Sequence, residues 1–193
     1  VKHLPATHPD LALTFNNAGL VAYERGDYVR AQKLLRGAIT IRVHNFGKQH
    51  PDVAQSINNL GVVLLELGQA PEAAQLFEAG LAILKPLVGL KHPEVAQSIN
   101  NLGLALFKQG KYDKALPLLL QALRLKEAIF GPNHRQISLT ANNLAMVYQR
   151  TGNIEDASRM HERSIAIKQK VLGPNHPSLA TSLNNLAVLK ISL

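Results

Sequence analysis

Histidine recurs at His8, His50, His92, His134 and His176, each 42 residues after the last. Imidazole ligates metals and moves protons near neutral pH. A zinc site needs its nitrogens within about 2.0–2.1 Å of one ion. Histidines borne one per helical unit cannot meet that condition, because packed helices lie roughly 8–10 Å apart. The repeated histidines therefore read as capping or turn residues, and the lone His44 and His161 as structural. The second recurrent chemistry is carboxamide. Asparagine pairs stand at Asn16–Asn17, Asn58–Asn59, Asn100–Asn101, Asn142–Asn143 and Asn184–Asn185. Each side chain offers two donors and an acceptor, a set that can pair with the backbone of an extended peptide. No nucleophile elbow, phosphate-binding loop or His-Glu-x-x-His is present, and cysteine is absent. Asp113, Glu155 and Asp156 read as solvated surface. No enzyme, cofactor or metal is implied.

The whole composition bounds the partners. The chain has 193 residues, is 46% hydrophobic and 18% charged, and its mean hydropathy is −0.01. That excludes an intrinsically disordered chain. No apolar run approaches the roughly 18 residues a membrane helix needs. Lysine and arginine number 21 against 13 acidic residues, a formal +8. Residues 1–91 carry 9 basic and 7 acidic side chains, and residues 92–193 carry 12 and 6. A basic surface favours acidic partners. Nucleic acid is the competing class, but single-strand binding also needs stacking aromatics. The first helices offer only Tyr23 and Phe107, so nucleic acid is disfavoured. The lack of cysteine and of an export signal points to the cytoplasm.

The period itself dictates the elements. The stretches His50–Gly61 and His92–Gly103 differ only at Asp52 versus Glu94. Each unit reads as two helices. The first begins at the His-Pro, with Pro51 and Pro93 at a position whose missing N–H costs nothing. Asp52 and Glu94 follow where the helix dipole favours an anion. Ile57, Leu60, Gly61 and Leu64 form an amphipathic stripe. Gly68 stops that helix. A second helix is predicted over about 71–88, with Ala73, Leu76, Phe77, Gly80, Leu84 and Leu87 on its buried side. Gly19, Gly61 and Gly103 sit mid-helix at a propensity cost of about 1 kcal/mol each, which implies close helix approach. Hairpins of fixed length bury their apolar faces on one another and stack into a solenoid.

Leu102-Gly103, Gly110, Tyr112, Ala115 and Ala122 resemble the tetratricopeptide repeat, whose usual length is about 34 residues. The long form, with His-Pro-Asp, Asn-Asn-Leu and a closing Leu-Gly-Pro-Asn, resembles the repeats of kinesin light chains. The resemblance implies an all-α right-handed superhelix of helical hairpins and a concave groove lined by the first helices. It implies a peptide-binding face made of Asn16 and Asn17 in the first unit. The second unit adds Gln55, Asn58, Asn59, Val62 and Glu66, and the third Gln97, Asn100, Asn101, Leu104 and Lys108. The fourth adds Asn142, Asn143, Met146 and Arg150, with Leu139 in the same register. Either member of each pair can face the groove, the other bonding the neighbouring hairpin. Glu24 and Glu66 give way to Lys108 and Arg150 at one register position, so the peptide is expected to carry an acidic segment. Leu64 and Ala22 stand where the motif usually has tyrosine, and His161 replaces a large apolar residue, which predicts looser packing in the fourth unit.

The organisation expected is one domain over 1–193, with repeats at 8–49, 50–91, 92–133 and 134–175 and a partial unit at 176–193. Residues 1–7 align with the tail of a second helix, as in a segment cut from a longer array. Leu183, Leu186, Leu189 and Ile191 on a lone last helix would leave apolar surface bare and favour self-association through the terminal repeats. The function expected is a protein–protein interaction scaffold that holds a partner's peptide. The alternative is a structural spacer or self-assembling module of a larger protein.

Overall fold

The computed structural model describes residues 7–173 and 176–191. Most of the expected tail at 1–7 lies outside them, as do Pro174 and Asn175 of the closing motif. The described residues are all-helical, with nine helices in consecutive packed hairpins and no strand. They form two compact units, residues 1–89 and 90–193, and the division falls between the second and third repeats. In the first unit α1 (Pro9–Glu24) pairs with α2 (Tyr28–Phe46), and α3 (Pro51–Glu66) with α4 (Ala70–Val88). Helix α3 also packs on α2. In the second unit α5 (Pro93–Lys108) pairs with α6 (Tyr112–Phe130), and α7 (Arg135–Arg150) with α8 (Ile154–Leu172). Helix α7 packs on α6, and α9 (Pro177–Ile191) on α8.

The repeated histidines cap the first helices. Nδ1 of His8, His50, His92 and His134 accepts the backbone N–H two residues on, at 3.2–3.3 Å, and His176 does the same at 3.2 Å. Each thus satisfies one of the donors that a helix start leaves unpaired. Phe46 stacks on His50 and Phe130 on His134, with ring centroids 4.6 Å apart. The preceding helix therefore holds the cap in place.

The second helices bury the stripe i, i+4, i+7, i+11. Ala31, Leu35, Ala38 and Arg42 occupy it in α2, and Ala73, Phe77, Gly80 and Leu84 in α4. Leu87, predicted to be buried, is instead 50% exposed. After Leu84 the next turn inward is closed by Val88, which is half-buried. Leu76 is half-buried. In α9, Leu189 is fully buried, Leu186 is half-buried and Leu183 is 48% exposed.

The mid-helix glycines mark close approach. A Cβ at Gly103 would stand 2.8 Å from Leu119 Cγ, and one at Gly61 would stand 2.6 Å from the Phe77 ring. In the fourth repeat Ala145 faces that register and His161 stands where Leu119 would. Alanine is thus accommodated where the opposing side chain is different. Gly103→Ala should destabilise the chain by about 1 kcal/mol by urea denaturation, since overpacking of about 1–3 kcal/mol exceeds the roughly 1 kcal/mol helix-propensity gain. An increase in stability would refute the close-contact reading.

Candidate functional site: the asparagine face of the first helices

The two asparagines of a pair have different surroundings. Asn16 is 3% exposed and Asn100 4%. Asn16 Oδ1 accepts from Ser56 Oγ at 3.1 Å and from Asn59 Nδ2 at 3.2 Å. Asn100 Oδ1 accepts from Thr140 Oγ1 at 3.0 Å and from Asn143 Nδ2 at 3.3 Å. In these two pairs the first asparagine is therefore a receiver for the next hairpin. A buried carboxamide needs such partners, because an unpaired one costs about 1–3 kcal/mol. The second asparagine is more open. Asn17 is exposed, and Asn59 and Asn143 are half-buried. Asn101 is 8% exposed and accepts from Gln97 Nε2 at 2.8 Å and from Asn100 Nδ2 at 3.3 Å. Asn58 and Asn142 are half-buried. Asn58 Oδ1 lies where a Cβ at Gly80 would come within 2.7 Å, which accounts for glycine on the facing helix.

One stripe of each first helix stays open to solvent. In the first unit it runs through Leu13 and Gln55, Asn17 and Asn59, Leu20 and Val62, and Glu24 and Glu66. In the second unit it runs through Gln97 and Leu139, Asn101 and Asn143, Leu104 and Met146, and Lys108 and Arg150. Except for Asn101, every one of these is half-buried or exposed. The spacing of four, three and four residues is one helical face. Burial and then the charge of Glu66 raise the Tyr23 pKa, which sets Glu66 electrostatically against the neighbouring first helix.

Behind the asparagines lie cations that the sequence reading did not single out. Arg42, 4% exposed, donates from Nη1 to Ser56 Oγ at 2.9 Å, to Gln55 Oε1 at 3.3 Å and to the Asp52 carbonyl. Lys126, 1% exposed, donates from Nζ to Gln97 Oε1 at 2.9 Å, Thr140 Oγ1 at 3.1 Å and Gln136 Oε1 at 3.5 Å. Lys168 Nζ donates to Ser182 Oγ at 2.7 Å. Each relays from a second helix through a hydroxyl of the next first helix. In two cases that hydroxyl bonds the preceding asparagine. The signal was in the register: Arg42, Lys126 and Lys168 are 42 residues or a multiple apart and lie on the buried stripe, with Leu84 at the fourth position.

In the second unit a pocket of about 320 Å³ opens among Phe107, Met146, Arg150, His161, Asn185 and Val188. His161 is 1% exposed with Nδ1 unpaired, and burial, with a smaller push from Lys168, lowers its pKa. Among the described residues no group of three or more histidines and carboxylates could hold a metal ion. None of the described helices is long and apolar enough to cross a membrane.

The sequence profile of the tetratricopeptide repeat matches residues 10–85, 94–170 and 136–193. The chain belongs to the tetratricopeptide repeat family. No curated protein matches it in sequence. Among solved structures it is similar to BtubC (BKLC) from P. vanneervenii, with TM-score 0.79 and 24% identity over 94% of this chain and 72% of that one. It is also similar to nearly identical TPR-like repeats of a putative kinesin light chain from Podosopora anserina. There the TM-score is 0.76 and the identity 26%, over 94% and 86% of the two chains. A Rap protein complexed with Competence and Sporulation Factor shares the fold at TM-score 0.79 and 14% identity, over 93% of this chain and 48% of that one. Kinesin-light-chain-like repeat proteins are thus among the neighbours of this tetratricopeptide chain.

Burial pushes the Lys126 pKa down from 10.5 to about 8. Between those values the unfolded chain holds a proton that the folded chain has released, so folding stability rises with pH across the window. Tyr23 and Tyr148, whose pKa values are raised, act in the opposite sense only above about pH 10. From pH 8 to about 10, wild type should gain on the Lys126→Met variant by roughly 1 kcal/mol per pH unit in urea denaturation. A difference that stays constant with pH would show that the lysine is not buried as described.

Proposed function

We propose that the chain is a non-catalytic receptor that holds an extended segment of a partner protein along the open stripe of its first helices. The observation that carries this reading is the division of labour among the asparagines. Asn16 and Asn100 are consumed by the stack, and the half-buried Asn59 and Asn143 each rest on one of them by a single Nδ2 hydrogen. Asn143 uses one Nδ2 hydrogen on Asn100, which leaves Oδ1 and a second hydrogen for a ligand backbone. The peptide-binding face then comprises the second asparagines together with Gln55, Val62 and Glu66 in the first unit. In the second unit it comprises Gln97, Leu104, Lys108, Met146 and Arg150. The family's role as a protein-interaction scaffold supports the reading, as does a similar fold in a Rap protein complexed with a factor.

The exposed Lys108 and Arg150 favour an acidic stretch of the ligand on the second unit. Exposed charges steer association more than they add affinity. The same reading keeps the whole of 1–193 as one interaction domain of 42-residue repeats. The spacer alternative draws on one observation, the use of Asn16 and Asn100 wholly within the stack.

The two readings separate cleanly. A random 12-mer display library panned on the protein should enrich a shared motif. Asn143→Ala should weaken the enriched peptide by about 5–10-fold, the worth of one lost hydrogen bond, with little change in melting temperature. Asn100→Ala should mainly lower stability. Changing Lys108 and Arg150 together to Ala should weaken binding and flatten its salt dependence. An enriched peptide indifferent to Asn143 and to the two cations would place the ligand elsewhere. No enrichment at all would favour the spacer.

A further inference from the structure

Lys126 is a buried titratable group that the groove reading leaves unused. It projects from α6, the back helix of its hairpin, and no carboxylate pairs with it. Gln97 from α5, and Gln136 and Thr140 from α7, face its ammonium, and none of the three is charged or titrates. Its branches both end on the open face. Along one, Lys126 holds Gln97 Oε1, which directs Gln97 Nε2 to Asn101 Oδ1 at 2.8 Å. Along the other, Lys126 holds Thr140 Oγ1 as an acceptor. The hydroxyl hydrogen of Thr140 then has two acceptors in reach, the Gln136 carbonyl at 3.3 Å and, nearer at 3.0 Å, Asn100 Oδ1, the atom on which Asn143 Nδ2 also rests. An ammonium can only donate, so Gln97 Oε1 and Thr140 Oγ1 must both accept from it, which turns Gln97 Nε2 and the Thr140 hydrogen away from Lys126. The carboxamides of Asn101 and Asn143 are nearly symmetric in shape. Which of their ends faces outward is decided by such a network.

We propose that Lys126 is a positioning residue for the asparagine face of the second unit: its ammonium sets, through Gln97 and through Thr140 and Asn100, which way the Asn101 and Asn143 carboxamides point. The consequence for ligand affinity rests on the groove reading, whereas the side-chain geometry does not. Residues 1–89 contain a built-in control. There Arg42 occupies the same register and reaches Asn16 through Ser56, with Asn59 on the same oxygen. A guanidinium keeps its protons throughout the accessible range. An amine that titrates does not, and a neutral amine can accept where the ammonium donated. The two units are thus orienting the same carboxamides with hubs of different chemistry.

The first arm of the test needs no ligand. The side-chain NH2 resonances of Asn101 and Asn143 are followed by ¹⁵N-edited NMR from pH 7 to 9.5. In wild type they should move with a shared midpoint near the Lys126 value of about 8, while Asn59 stays flat. In Lys126→Arg and Lys126→Met all three should stay flat. Flat Asn101 and Asn143 signals in wild type, or an unchanged titration in Lys126→Met, overturn the proposal. Replacing a buried charge by a hydrophobe of similar volume is often neutral or stabilising, so the Met variant should fold, and circular dichroism checks it. Thr140→Val gives a second cut, which should abolish the Asn143 titration and spare that of Asn101. The second arm uses the peptide enriched by the display library on wild type. Lys126→Met should weaken it about 10-fold, and Lys126→Arg should restore it to within about 2-fold. Equal affinity for wild type and Lys126→Met overturns the positioning role and leaves the groove receptor intact. A library that yields no peptide overturns the groove receptor, and the NMR arm alone then decides the positioning role.

Discussion

The first three hairpins of this chain close where the backbone of a first helix comes against a large side chain of the second, with no Cβ between them. Gly103 against Leu119 and Gly61 against Phe77 are the clearest instances. Glycine is the poorest helix former after proline, so the sequence gives up local helix preference to gain contact. The opposing Leu119 and Phe77 are fully buried, and burying such a side chain contributes about 1.5–3 kcal/mol. The tertiary term exceeds the local one. Once the two helices are this close, the side chains on either side of the crossing have their directions fixed. The stripe from Ala115 to Lys126 must face the next hairpin. The open stripe through Leu104 and Lys108 must face away.

That geometry explains why the interface between hairpins is polar at its centre. Two of the three boundaries with a cation join three groups in series, the cation, a hydroxyl and an asparagine, and none is a carboxylate. Arg42, Ser56 and Asn16 form one series, and Lys126, Thr140 and Asn100 another. An apolar interface can slide along the helix axis, while one built of directional bonds between atoms in a fixed order cannot. Desolvating the cation is costly, and only neutral acceptors offset it. The lowered Lys126 pKa is the visible sign of that cost. The return is register. The apolar residues around the series supply most of the stabilisation, and the series selects one alignment among those they would tolerate.

The fold was legible because the period survives without insertion. A histidine, followed by proline at four of five positions, marks the start of every first helix, and the capping bonds at His50 and His92 follow from that placement. Small errors arise where the helical repeat of 3.6 leaves a choice between neighbours, as with Leu87 and Val88. The face of the asparagines was legible, but the roles within a pair were not. Adjacent residues differ by about 100° around a helix, and either member can meet the groove until the crossing of the next helix is known. The buried cations were missed for a different reason. A lone lysine or arginine on an amphipathic helix is read as solvated, and only its register exposes it. Ala115, Leu119, Ala122 and Lys126 are spaced as one stripe, and Ala31, Leu35, Ala38 and Arg42 repeat it. Two such coincidences in a row are the signal that composition hides.

The same hydrogen bonds therefore serve two ends that are usually separable. Here the oxygen of Asn100 is at once the end point of the stacking relay and the support of Asn143. A change that loosens the stack at Thr140 must alter the open face, and a ligand that grips Asn143 must load the junction behind it. Coupling of this kind is reciprocal by thermodynamic necessity. The hub of this coupling is a guanidinium, Arg42, in the first unit and an amine with a lowered pKa, Lys126, in the second. The two units, alike in fold and in the asparagines they present, differ in the cation and the hydroxyl behind those asparagines, guanidinium and Ser56 in one, ammonium and Thr140 in the other.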